Sequence, residues 1–347
     1  MLFRSFCFFP GFDTIRHKVF DLQRRRFLQK GILGFLSLPL VDLCGNRAQS
    51  HSARRKPLLR RILGRTGERI SIIGLGGMVI MNESPETASA VVRDAVEHGV
   101  NYFDVAPSYG DAEVVLGEVL KPYREQVFLS CKTQERTRRG AEEELHRSLR
   151  RLQTDHIDLY QCHGFTEIRD VNLALGRAGA LDAFIKARDE GKIRYIGFSA
   201  HSVDAAIRAM DGFDFDTILF PVNYVCFYRD FGPAVIQKAE EKKLGILAIK
   251  TLARQPWPAE EPKKHWPKCW YQPISDPEEA YLALRFSLMQ PVTSIIPPGD
   301  VRLFRRALEM AQSYTPLTEA EERKLRLLAE SLDPLFPISS RPSPHTR

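Results

Sequence analysis

Between residues 58 and 331 short apolar runs alternate with longer amphipathic stretches, and this alternation organises the chain. Parallel strands covered by helices on both sides read as unbroken apolar runs of about four to eight residues. Eight such runs occur, at 72–75, 100–104, 127–132, 156–163, 193–199, 216–222, 245–251 and 293–297. Helical patterns follow them, near 85–98, 111–121, 141–151, 179–190, 202–210, 231–243, 276–290 and 300–313. Ser84 is the expected N-cap of the first helix, with Pro85 in its first turn and Gly99 at its end. Gly191 and Gly245 are expected at helix ends or tight turns. Upstream, LLRRILGRTGERISII reads as a hairpin turning at Arg65-Thr66-Gly67. Downstream, Thr318 to Ser331 reads as an extra helix opened by a capping box of Thr318 and Glu321.

Strands that alternate strictly with helices predict an α/β fold with a parallel sheet. Eight alternations predict a closed (β/α)8 TIM barrel with an N-terminal β-hairpin cap and a C-terminal extra helix. An open doubly wound sheet is disfavoured, because Gly74-Leu75-Gly76-Gly77 lacks the G-x-G-x-x-G spacing and no helix follows at once. The long segment from Leu252 to Ser275 holds Trp257, Trp266, Trp270 and Tyr271, and is expected to form a lid or wall over a substrate pocket, a packed surface loop being the alternative. The domain reading is a leader and basic linker at 1–57, the barrel at 58–333, and a Pro- and Ser-rich tail at 334–347 expected to be disordered.

The formal net charge of +7 suggests a polyanionic partner until it is located. Residues 1–65 hold 14 Lys or Arg against 3 Asp, so the remainder is mildly acidic and a nucleic-acid partner for the folded body is excluded. Residues 23–41, QRRRFLQKGILGFLSLPLV, place three arginines before an apolar run too short for the roughly 20 residues of a membrane span. Arg24-Arg25-Arg26-Phe27-Leu28 resembles a twin-arginine signal, which implies export by that machinery to the periplasm; the alternative is a cytoplasmic protein with a basic tail. Cys44 lacks the small residues expected before a lipidated cysteine. The six cysteines are scattered without a C-x-x-C pair, which argues against a zinc site, an iron–sulfur cluster or a disulfide framework.

Four residues able to move protons sit where apolar runs end: Asp104 and Tyr109 in YFDVAPSYG, Lys132 in VFLSCK and His163 in IDLYQCH. The C-terminal ends of barrel strands are where such enzymes keep their chemistry. A tyrosine is a poor acid in water, with a pKa of about 10. An adjacent ammonium is expected to lower that pKa, and a carboxylate to hold the ammonium charged. A histidine would orient a carbonyl oxygen beside the phenol. Each alone is more often structural; the four together make a proton-donating set.

At these residues the chain resembles the aldo-keto reductase family. The resemblance covers about residues 58–330 and rests on LGRTG (63–67), GLGG (74–77), FDVAPSYGDAEVVLGEVL (103–120), Lys132, LYQCH (159–163) and IGFS (196–199). It implies reduction of aldehydes or ketones with NADPH, NAD being less expected. Tyr109 would be the general acid, Lys132 and Asp104 its tuning pair, and His163 the group that positions the carbonyl.

The resemblance also implies cofactor contacts from Ser199, Asn223, Lys250 and the turn IIPPGDVRLFRR, through Pro298, Gly299, Arg302 and Arg305. Here the chain departs from the family pattern. Ala200 stands in place of an Asn, Leu219 in place of a Gln and Ile249 in place of a Tyr that stacks on the nicotinamide. Asp300 lies beside the expected phosphate site and equally suits a helix N-cap. Two other functions stay open: a nucleotide-binding redox sensor or partner subunit with little turnover, and a non-redox barrel lyase or isomerase using the same Tyr and Lys.

Overall fold

In the computed structural model, residues 58–259 and 265–336 are described. The leader reading at 1–57 and the tail reading beyond 336 lie outside those residues.

The chain opens with a hairpin of β1 (Arg60–Ile62) and β2 (Arg69–Ser71), turned through Gly67 at φ +78°. Seven parallel strands follow: β3 (Leu75–Gly76), β4 (Tyr102–Asp104), β5 (Phe128–Thr133), β6 (Ile157–Phe165), β7 (Ile193–Ala200), β8 (Thr217–Pro221) and β9 (Gly245–Ile249). After them come an antiparallel pair, β10 (Ala253–Pro256) with β11 (Tyr271–Pro273), and the last parallel strand, β12 (Ser294–Ile295). Each parallel strand pairs with its sequence neighbour, in the order β3 to β9 and then β12. The sheet closes on itself where Ile73 bridges Ile295 in parallel; the N–H of Gly74 donates to Ile295 O and that of Ile295 to Ile72 O, both at 2.9 Å. This is the expected (β/α)8 barrel.

Two apolar layers hold it. The larger lies between strands and helices and runs from Ile72 and Val91 through Phe184 and Phe198 to Phe304 and Leu325. The smaller fills the barrel: Tyr102, Phe128, Leu159, Leu219, Leu247 and Ile296 meet Leu63 and Ile70 of the hairpin segment. The hairpin plugs one end, so a polar site is left to the other, where the strands' C-terminal ends point.

Local signals explain most helix boundaries. Ser84 accepts from the N–H of Thr87 and Pro85 opens the helix Pro85–Glu97, while Thr318 and Glu321 form the full capping box of Glu319–Glu330. Gly191 takes φ +73° after the helix Ala180–Asp189, as expected. Gly245 does not end a helix. It starts β9, where an added Cβ would lie 2.4 Å from Leu63 Cδ1, and the left-handed turn before it falls on Lys243 at φ +58°. Two short helices, Ile168–Leu175 and Tyr224–Tyr228, and the β10–β11 pair lie within stretches that periodicity leaves as loops. Residues 334–336, expected to belong to the disordered tail, are instead part of the described fold. Phe336 packs its ring on His201 (5.4 Å, 17°) and on Phe231 (5.1 Å, 19°).

Candidate active site

Asp104 ends β4 and Lys132 lies one residue from the end of β5. Alternation along a strand turns residues two apart to one side. Tyr102 therefore joins Asp104, and Ser130 joins Lys132, inside the barrel. Lys132 is 0% exposed and Asp104 2%. The ammonium donates to Asp104 Oδ2 and to Val105 O at 3.2 Å. Asp104 Oδ1 accepts from Tyr102 (3.2 Å), Ser130 (3.0 Å) and Gln161 (3.4 Å), and Gln161 also donates to Ser130 Oγ at 2.7 Å. A buried ion pair needs such a shell of donors to offset its desolvation. Burial pulls the Lys132 pKa down, but Asp104 and Tyr109 together raise it above its ordinary value. The ammonium stays charged.

Tyr109 lies in the loop after β4, with the Lys132 Nζ 5.6 Å from its ring centroid. The His163 ring on β6 meets it edge-on at 5.8 Å and 86°. The structure therefore brings all four expected proton-handling residues to one mouth. The expected direction of the Tyr109 pKa is corrected. Burial raises it, Lys132 lowers it, Asp104 raises it again, and the net is above the ordinary value. Desolvation penalises the phenolate more than one ammonium, itself paired to a carboxylate, can repay. His163 is held neutral, its pKa lowered to about 3 by burial and then by Lys132, His201, Arg136 and Lys250. Its buried Nδ1 has no hydrogen-bond partner, and neither has Nδ1 of His201.

The expected nucleotide contacts separate into three groups. Ser199 is buried and its Oγ accepts from the N–H of Gly164 at 2.7 Å, which leaves its own proton free to donate. Asn223 is redirected from ligand binding to structure. Its Oδ1 caps the helix Tyr224–Tyr228 at 3.1 Å from the N–H of Cys226, and its Nδ2 donates to the carbonyls of Lys250 (3.1 Å) and Ala253. Lys250, at φ +61°, lies at the rim with its Nζ 5.2 Å from the Trp270 centroid and 4.9 Å from that of Tyr271.

The turn before the helix Val301–Gln312 differs most from expectation. Asp300 is the N-cap and accepts from the N–H groups of Arg302 and Leu303, so a carboxylate of the chain already occupies that helix start. Arg302 pairs with Asp300 (3.0 Å), donates to His265 O (2.6 Å) and stacks over Trp266 at 4.2 Å. Arg305 pairs with Asp94 at 3.4 Å. These arginines are engaged rather than free to meet a phosphate. Pro298 accepts from the N–H of Asp300 at 2.8 Å. Gly299 is packed so closely that an added Cβ would lie 2.6 Å from Met78 Cβ.

Sequence reasoning missed Tyr102, Ser130 and Gln161 as partners of Asp104, although the period of two already aligned the first two. It also missed Arg136, which donates to His163 O at 2.8 Å, and Phe336 on the rim.

Residues 72–264, more than half of the chain, match the model of the Aldo/keto reductase family. The chain belongs to the aldo/keto reductase family. Among its relatives, Aldo-keto reductase YhdN of Bacillus subtilis is 31% identical over 210 residues, covering 54% of this chain and 60% of that protein. L-galactose dehydrogenase of Arabidopsis thaliana is 31% identical over 215 residues, covering 56% and 65%. The matched stretch thus spans less than two thirds of these relatives. The solved aldo-keto reductase AKR11C1 from Bacillus halodurans superposes with a TM-score of 0.63 at 23% identity, covering 80% of this chain and 98% of that one. An aldo/keto reductase from Klebsiella pneumoniae, solved in complex with NADP and acetate, superposes at 0.61 with 20% identity, covering 82% and 98%. At these identities the two structures establish a shared barrel.

Proposed function

We propose that this aldo/keto reductase is an NADP(H)-dependent oxidoreductase that reduces an aldehyde or ketone to an alcohol, with Tyr109 as the proton donor. The observation that supports it most is a protonated phenol held between a fully buried, carboxylate-paired ammonium and a neutral imidazole. The polar groups around the mouth suit a nicotinamide nucleotide: the free proton of Ser199, the partnerless Nδ1 atoms of His163 and His201, and the tight backbone at Gly299. Ser199, Pro298 and Gly299 would hold it. Arg302 and Arg305 would reach a 2′-phosphate only by leaving Asp300 and Asp94. The bound nucleotide would supply a hydride to the carbonyl carbon.

The remaining chemistry belongs to this chain. Tyr109 gives its proton to the carbonyl oxygen, and the phenolate it leaves faces the Lys132 ammonium, whose attraction opposes the effect of burial. Asp104 and its three hydroxyl and amide donors keep that ammonium charged and fixed. His163 offers a ring N–H to the same oxygen without adding a charge to the pocket. Tyr109→Phe is expected to abolish carbonyl reduction while nucleotide binding persists; undiminished turnover would remove Tyr109 from the mechanism. The mass of nucleotide released on denaturing freshly purified protein tests NADP against NAD. The twin-arginine leader is part of the same proposal, resting on Arg24 to Leu28 alone, and full-length protein confined to the cytosol would overturn it.

A further inference from the structure

Among the described residues, Lys132, Arg136 and Lys250 lie around the mouth, and the first two have counter-ions. Lys132 is paired with Asp104. Arg136 pairs with Asp170 at 3.6 Å and donates to the carbonyls of Gln134 and His163. Lys250 has no carboxylate partner among the described residues; its ammonium faces the rings of Trp270 and Tyr271 instead. Aromatic faces hold a cation but carry no net charge to neutralise it. The backbone beneath is in the left-handed region, which a side-chain-bearing residue adopts only at a cost, and Asn223 holds it there by donating to Lys250 O. Strain maintained by a buried side chain at a site mouth suggests a presented group.

Contacts also tie Lys250 to the histidines of the mouth: Trp270, under its ammonium, meets Phe336 at 6.1 Å, and Phe336 stacks on His201 at 5.4 Å. We propose that Lys250 is a specificity-determining residue that binds a carboxylate on the substrate, so that the preferred substrates are aldehydes or ketones that also bear a carboxylate. The proposal rests on the carbonyl-reductase reading. Burial draws the Lys250 pKa down to about 8, as befits an ammonium with no counter-charge, and an entering carboxylate would supply one.

The test uses the full chain and Lys250→Met, with 4-carboxybenzaldehyde and the neutral 4-methylbenzaldehyde at saturating NADPH. The ratio of kcat/KM for carboxylated over neutral aldehyde is expected to fall at least tenfold in Lys250→Met, mainly through KM, and to recover largely in Lys250→Arg. An unchanged ratio overturns the proposal. A rise in the NADPH KM with no change in that ratio assigns Lys250 to the nucleotide and overturns it equally. Quenching of tryptophan fluorescence by benzoate, compared with benzyl alcohol, reads the same site without turnover, because Trp270 adjoins the ammonium. Wild-type protein should prefer benzoate and Lys250→Met should not. No preference in the wild type rejects the anion site, whereas a preference without aldehyde reduction rejects only the carbonyl-reductase reading.

Discussion

Among single residues, the unequal environments of Tyr109, Lys132 and His163 decide what each can do. Burial favours the neutral forms of phenol and imidazole, while Asp104 keeps the amine charged. Lys132→Met is therefore expected to lower kcat by about 100-fold or more, the scale of general acid–base catalysis. Nucleotide affinity, measured by fluorescence titration, should change far less. Because the His163 pKa is lowered to about 3, the imidazole is neutral from pH 5 to 8. The kcat/KM profile over that range should show no ionisation that disappears in His163→Gln, and one that did disappear would contradict the assignment. The identities of these residues were legible in FDVAPSYG, VFLSCK and LYQCH. Their ionisation was not, since it depends on how deeply each is buried and by what.

At the level of elements, helix caps were readable because they are local: Ser84, Thr318 and Asp300 each accept from N–H groups two or three residues on. Thr318→Ala should cost about 1 kcal/mol by denaturant unfolding. Close packing between helices was not readable. In the helix Ala112–Val119 an added Cβ at Gly117 would lie 2.3 Å from Arg151 O, on the backbone of the helix Arg138–Leu152. Gly117→Ala should destabilise by about 1–3 kcal/mol, since backbone cannot rotate out of the way as a side chain can. A variant as stable as the parent would show that these helices can separate freely. The helix Tyr224–Tyr228 is illegible in the sequence for a related reason. Five residues are too few for periodicity, and its cap, Asn223, gained meaning only from its bonds to the distant carbonyls of Lys250 and Ala253.

For the whole molecule, His163 and His201 couple stability to acid. Their folded pKa values, about 3 and about 4, lie below the ordinary 6.5. The unfolded chain therefore takes up protons first as pH falls. Their contribution is fully present above pH 6.5 and is lost as pH drops from there through about 4 for His201 and about 3 for His163. Tm should decline across that window, less steeply in His201→Gln, and equal slopes would show that His201 is not the linked group. Residue order alone prescribed the barrel and its closing helix, because strand and helix periods, caps and turns are properties of neighbouring residues. It determined equally which four side chains reach the strand ends. Folding across the chain chose the partners: Ser130 and Gln161 closing on Asp104, Asn223 tying down Lys250, and Phe336 folded back onto His201. Those outcomes hinge on contacts between residues tens to hundreds of positions apart, where a charge or ring meets whatever the closed barrel brings beside it.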